Sequence, residues 1–116
     1  MPFTEATLNA AVNAIAVLGD WITAHTADPG ATGASEVAGG SYARQQTTWG
    51  APAAGDRIGS QVAIPIPAGT TVTHWGIRSA VSGGTWIGGF PLPAPEVFGA
   101  AGTLQWTPTL AVDPPA

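Results

Sequence analysis

From Gly19 onward glycine and proline interrupt the chain so often that a helix of ordinary length has no room to form. All of the sixteen glycines, and every one of the eleven prolines except Pro2, lie beyond Leu18. The stretches between them alternate apolar and polar side chains, the period of a pleated strand. Only the opening segment reads differently. Thr4 can cap a helix with Glu5 in its first turn, and Leu8, Val12, Ile15 and Leu18 recur on one helical face before Gly19 offers a left-handed stop. The spacing predicts a helix over about residues 4–18.

Period-two segments follow at Trp21–Thr26, Tyr42–Trp49, Gln61–Ile66, Val72–Arg78, Thr85–Gly88 and Thr103–Val112. Pro65 and Pro67 lack amide donors, so the third of these belongs at a sheet edge. Ser82-Gly83-Gly84 is the clearest short hairpin signal, Pro67–Thr71 reads as a turn into a further hairpin, and Pro108 breaks the last strand locally. The proline-rich run PLPAPEVFG (Pro91–Gly99) reads as a crossover to that last strand. Six short strands behind one helix predict a mainly β fold: a small antiparallel β-sandwich or barrel with one N-terminal α-helix packed across an end. Residues 1–116 fit one domain, with residues 113–116 as a loose or partner-bound tail.

Charge excludes several function classes. Lysine is absent, the three basic residues are Arg44, Arg57 and Arg78, and seven carboxylates bring the net charge to -4. Attraction to a phosphate backbone is therefore weak, and nucleic acid is not an expected partner. The apolar run near the N-terminus is too short, and too interrupted by Asn13 and Asp20, to cross a bilayer, so no membrane contact is expected. With 9% charged and 45% apolar residues, much of the surface must be small and uncharged or covered by another subunit. Cysteine is absent, which removes disulfides and thiolate chemistry.

The residues that could carry chemistry have simpler readings. His25, Asp28 and a serine contain the parts of a hydrolase, yet no strand-Ser-helix elbow accompanies them, and Asp28 suits capping of the Pro29-Gly30 turn. His25 and His74 have no ligand spacing that implies a metal, and no glycine-rich segment has the context of a phosphate cradle, so no cofactor is expected. The five tryptophans, Trp21, Trp49, Trp75, Trp86 and Trp106, suit sugar stacking in principle, but at least three should be core or subunit contacts. Each arginine is expected to meet a carboxylate or a carbonyl, with Glu36 and Asp56 as partners.

Three segments carry a resemblance. The run HTADPGATGASEVAGGSYARQ (His25–Gln45), the block PAGTTVTHWGIRSA (Pro67–Ala80) and the closing FGAAGTLQWTPTLAVD (Phe98–Asp113), after an amphipathic helix, resemble small virion structural proteins of tailed bacteriophages. Members are labelled tail fibre, capsid decoration or minor capsid proteins. The resemblance implies a non-enzymatic β-rich module on the virion, made in the host cytoplasm. The preferred expectation is a decoration or minor capsid protein that binds and stabilises the assembled head. The alternative is a tail fibre or tail-tip module that binds host surface glycan. Expected partners are the major capsid protein or tail proteins, together with further copies of the chain, a trimer being one arrangement. The residues assigned to partner contact are Arg44, Arg57, Arg78, Trp86, Pro91, Pro93 and Phe98.

Overall fold

A computed structural model describes residues 3–111. Its elements run α1 (Glu5–Ala16), β1 (Trp21–His25), β2 (Gln45–Gln46), β3 (Asp56–Ile58), β4 (Val62–Ile66), β5 (Thr70–Arg78), β6 (Trp86–Phe98), β7 (Gly102–Trp106) and β8 (Thr109–Ala111). One four-stranded antiparallel sheet has the order β2-β1-β5-β6, and two antiparallel ribbons pair β4 with β7 and β3 with β8. The fold is a small, mainly β sandwich with one short helix near its N-terminus, as the sequence predicts.

Alternation builds the core. Ile22 and Ala24 of β1 stand opposite Ile77 and Trp75 of β5. These four join Val62, Ile64 and Ile66 of β4, Leu104 of β7 and Leu110 of β8 in one buried cluster. Full burial of each such aliphatic side chain stabilises the fold by about 1.5–3 kcal/mol before entropy is counted. Helix α1 lies against β3 and β8 and adds Val12 and Ala16 to the same cluster. Its start is capped as expected: the Thr4 hydroxyl accepts from the Thr7 amide at 3.2 Å. Its end is not. The helix stops at Ala16 with Val17 still right-handed, and Leu18 is exposed rather than on the buried face. Gly19 serves close packing instead, since a Cβ there would lie 2.6 Å from the Arg78 carbonyl oxygen.

Three other expectations need correction, and one strand is unanticipated. The segment Tyr42–Trp49 contributes only Gln45–Gln46 as strand, at the sheet edge beside β1. Tyr42 and Arg44 are bound instead by side-chain hydrogen bonds. Residues 56–58 form a strand that a three-residue run between turns does not announce; it pairs with Thr109–Ala111. The turn at Pro67–Thr71 does not close a hairpin: β4 pairs with β7, and β5 continues in the other sheet. Finally, PLPAPEVFG is no crossover. All of it but Gly99 is the second half of β6 and runs antiparallel to β5, with Thr70 opposite Phe98.

The prolines still leave their mark on that strand. The ladder runs in register from Gly88 to Pro91 and again from Glu96 to Phe98, but four residues, Leu92 to Pro95, face the single residue Thr73 between them. Pro91, Pro93 and Pro95 have no amide donor, and the ladder is interrupted across this stretch. Strict alternation would place Val72 away from Trp75 and Ile77, yet it belongs to the same core cluster, and the register shift falls between Val72 and His74. The expected break at Pro108 is present, separating β7 from β8. The terminal segment expected to be loose, residues 113–116, and the last residue of the predicted final strand, Val112, lie outside the described residues.

Candidate functional site

The His25–Gln45 segment folds back over the outer face of the four-stranded sheet. Strand β1 places Thr23 and His25 on that face, and both are fully buried (0% exposed). The His25 Nδ1 lies 2.8 Å from the carbonyl oxygen of Ala34. A carbonyl can only accept, so Nδ1 carries the proton and Nε2 of the neutral ring accepts from the Thr23 hydroxyl at 2.7 Å. Burial holds the His25 pKa below its ordinary value, against the opposing hydrogen bond to Ala34 and the field of Glu36. Asp28 does what its position in the turn suggests: it accepts from the Gly30 amide at 2.9 Å, on the exposed surface.

That geometry does not make a hydrolytic site. His25 has no carboxylate bonded to its ring, its one hydroxyl neighbour is sealed from solvent, and Asp28 is tied to its own turn. A nucleophile must reach substrate, which a fully buried pair cannot do. Among the described residues, no group of three or more His, Asp or Glu side chains is arranged to hold a metal ion.

Trp86 locks the same segment down. Its indole meets the His25 ring edge-on at 5.2 Å, lies 5.5 Å beneath the Arg78 guanidinium, and donates from Nε1 to the Gly30 carbonyl at 3.2 Å. Gly33 of the overlying loop has a φ of +76°, and a Cβ there would approach the indole to 2.9 Å. Glycine is therefore needed at Gly33 for both backbone and space.

The arginines are engaged within the chain. Arg44 grips Glu36 with both faces of the carboxylate, Nε to Oε2 at 2.8 Å and a terminal nitrogen to Oε1 at 2.9 Å. Its remaining nitrogen donates to the carbonyls of Ala80 and Gly83 in the β5–β6 connection. Tyr42 donates to the same carboxylate at 2.7 Å while its oxygen accepts from the Ala24 amide. Burial would raise the Glu36 pKa, but the hydrogen bonds from Arg44 and Tyr42 outweigh it, so the carboxyl titrates below its usual range. Burial, then the bond to Glu36, raise the Tyr42 phenol well above its ordinary value. Arg57 donates to the carbonyls of Gly50 and Trp49 and to the Asn13 side chain, joining the loop before β3 to the helix. Arg78 reaches Gly84 and Thr32.

Of the residues assigned to partner contact, Arg44, Arg57, Arg78 and Trp86 are thus tied into the fold, and Phe98 is half-buried against the core. Pro91 and Pro93 lie exposed on the outer strand β6. There Leu92, Pro93, Ala94 and Glu96 face Leu104, Gln105 and Trp106 of β7 across a cleft of about 200 Å³, where the two sheets part. Phe90 (37%) and Val97 (75%) are exposed on the same strand. Sequence reasoning passed over Glu96 and Val97 because a crossover has no faces to assign, and over Phe90 because it fell between the predicted strand and that crossover. Trp75 is buried, and Trp49 and Trp106 pack against the core. The expectation that at least three tryptophans are structural is met.

The His25, Glu36 and Tyr42 side chains are tied into buried or part-buried hydrogen bonds, and β6 carries two of the exposed large apolar side chains, Phe90 and Val97, with others at Phe3, Val17, Leu18, Ile58 and Val81. No curated protein and no solved structure matches the chain. A family model described as podophage GP4 fiber I protein gp80 matches residues 4–109, from the helix cap to the start of β8. That span is nearly the whole described fold, so the chain belongs to the podophage GP4 fiber I protein gp80 family and is a fibre-type structural protein of the tailed-phage virion.

Proposed function

We propose that this protein is a non-enzymatic tail fibre component, and that it works by seating against other virion subunits through the β6 side of its sandwich. The observation that carries this reading is where reactive and apolar groups lie. His25, Glu36, Tyr42 and the three arginines are engaged internally, whereas Phe90, Pro91, Pro93 and Val97 stand together on one strand beside the cleft, apart from the exposed Phe3, Val17, Leu18, Ile58 and Val81. Exposed apolar groups rimming a rigid sheet suit subunit contact. The sandwich is also elongated, 46 × 27 × 24 Å, a shape suited to a slender appendage.

Host glycan is the partner a fibre module would meet. All five tryptophans are buried or half-buried, so recognition by a freely exposed indole has little support; Trp106 lines the β6–β7 cleft. Decoration of the head would use the same surface by mass action, a subunit bound only to the assembled lattice stabilising that lattice. Quantitative mass spectrometry of purified virions separates the two positions. Copies numbering a handful or a few tens, labelled at the tail by gold-conjugated antibody, support the fibre reading. Hundreds of copies spread over the capsid overturn it in favour of decoration.

A further inference from the structure

We propose that the proline bulge of β6 is a guard that keeps the longest free edge of the sheet closed to strand addition by a second copy of this chain. Strand β6 spans thirteen residues and, among the described residues, pairs with β5 alone, which leaves its other side as a sheet edge. An open edge offers unpaired amides and carbonyls to any extended segment, and proteins blunt it with lysine, proline or a bulge. This chain has no lysine, and β6 carries one charge, Glu96. Flanking residues Phe90 and Val97 are exposed and apolar, the composition that favours strand-to-strand association. Glu96 is the one charged side chain protecting this thirteen-residue edge.

Proline and the bulge take its place. Pro91, Pro93 and Pro95 remove three of five consecutive donors, and all three are exposed. The four-against-one register shift then lifts Leu92–Pro95 out of the ladder, so a strand laid along β6 meets no continuous row of partners. The same bulge forms one wall of the cleft facing β7. Contacts made by this face are consequently side-chain contacts of defined geometry, in place of open-ended backbone pairing. The guard operates whether the protein sits on the tail or the head.

The test compares the full chain with two triple variants by size-exclusion chromatography with light scattering over a range of concentrations. Replacing Pro91, Pro93 and Pro95 by Thr restores the donors without adding charge. Its weight-average mass is expected to rise with concentration to roughly twice that of the wild type or more, as edge-to-edge dimers and larger species form. Replacing the same three prolines by Lys restores the donors but supplies a charged guard, and is expected to keep the wild-type mass. A folded threonine variant with wild-type mass at every concentration overturns the proposal. Association of the lysine variant to the same extent overturns it as well, because strand addition is blocked there. Near-UV circular dichroism reports folding; if the threonine triple fails it, Pro93→Thr alone decides by the same measure.

Discussion

The indole of Trp86 occupies the space that a side chain on Gly76 would require. These residues belong to neighbouring strands, and a Cβ built on Gly76 falls onto the outer edge of the Trp86 ring and 2.9 Å from the Thr23 hydroxyl. Gly89 borders the ring too, where a Cβ would lie 3.0 Å from it. The glycines of β5 and β6 are therefore a slot that lets one large aromatic lie flat on the sheet and hold the His25–Glu36 loop over a buried histidine.

Gly76→Ala should destabilise the protein by about 2–3 kcal/mol, the cost of overpacking a filled site. Gly88, one strand over, has nothing within 4 Å of its missing Cβ, and Gly88→Ala should fall within about 0.5 kcal/mol of the wild type. Urea titration of both variants, followed by tryptophan fluorescence, measures the difference. Equal midpoints would mean that Trp86 can move aside.

The slot also shows where the sequence was informative and where it was not. The pattern WGI in one strand and WIGG in the next announces two strands and a hairpin, and both are present. Nothing in it says that the glycine of the first strand makes room for the indole of the second, because that depends on cross-strand register. Likewise Glu36 was legible as an arginine partner, but the Tyr42 bond to the same carboxylate is set by the path of an irregular loop. The β6 bulge is the sharpest case. Proline density marked the segment as unable to make a regular ladder, which is right for Leu92–Pro95, and pointed away from a strand, which is wrong for its flanks. Helix, core faces and edge strands follow from local period; the contact surface follows from what two sheets leave uncovered.

Acid should weaken the fold in two separable steps. Burial favours neutral His25 in the folded state, so its folded pKa lies below the ordinary 6.5. Above that value both states are neutral and the full stability is present. As the pH falls below 6.5 the unfolded chain takes up the proton first, and stability is lost down to the folded pKa. Glu36, whose carboxyl is also depressed, gives a second loss beginning below its ordinary 4.5. His25→Gln should remove the first step and leave the second. Melting temperatures recorded across this range by differential scanning calorimetry check both, and a single step unchanged by His25→Gln would contradict the assignment.

Removing Arg44 should cost more than a surface ion pair does. The side chains of Arg44 and Glu36 are 11% and 19% exposed, so Arg44→Met leaves a mostly buried carboxylate with Tyr42 as its remaining bonded side-chain partner. A loss of about 2–3 kcal/mol is expected. Replacing both residues, Arg44→Met with Glu36→Gln, should recover part of that loss, because the uncompensated charge goes with the pair. Denaturant unfolding of the two single variants and the double variant closes the cycle, and strict additivity would show that the pair does not act as one unit.

Two half-buried tryptophans differ in how their nitrogen is satisfied. Trp49 donates from Nε1 to the Gly19 carbonyl at 3.0 Å, joining the end of α1 to the loop before β3. The Nε1 of Trp106 is buried with no acceptor among the described residues. Trp49→Phe therefore removes a bond and leaves a carbonyl unpaired, at a cost of about 1–2 kcal/mol beyond the lost area. Trp106→Phe removes an unpaired donor, and the relief offsets part of the lost packing against Trp75, whose ring centroid lies 5.8 Å away. Trp106→Phe should accordingly be the milder change by about 1 kcal/mol or more in thermal unfolding. If Trp106→Phe proved the more damaging, its packing at the floor of the β6–β7 cleft would outweigh the unpaired nitrogen, and that cleft would be a stiffer part of the contact surface than its open position suggests.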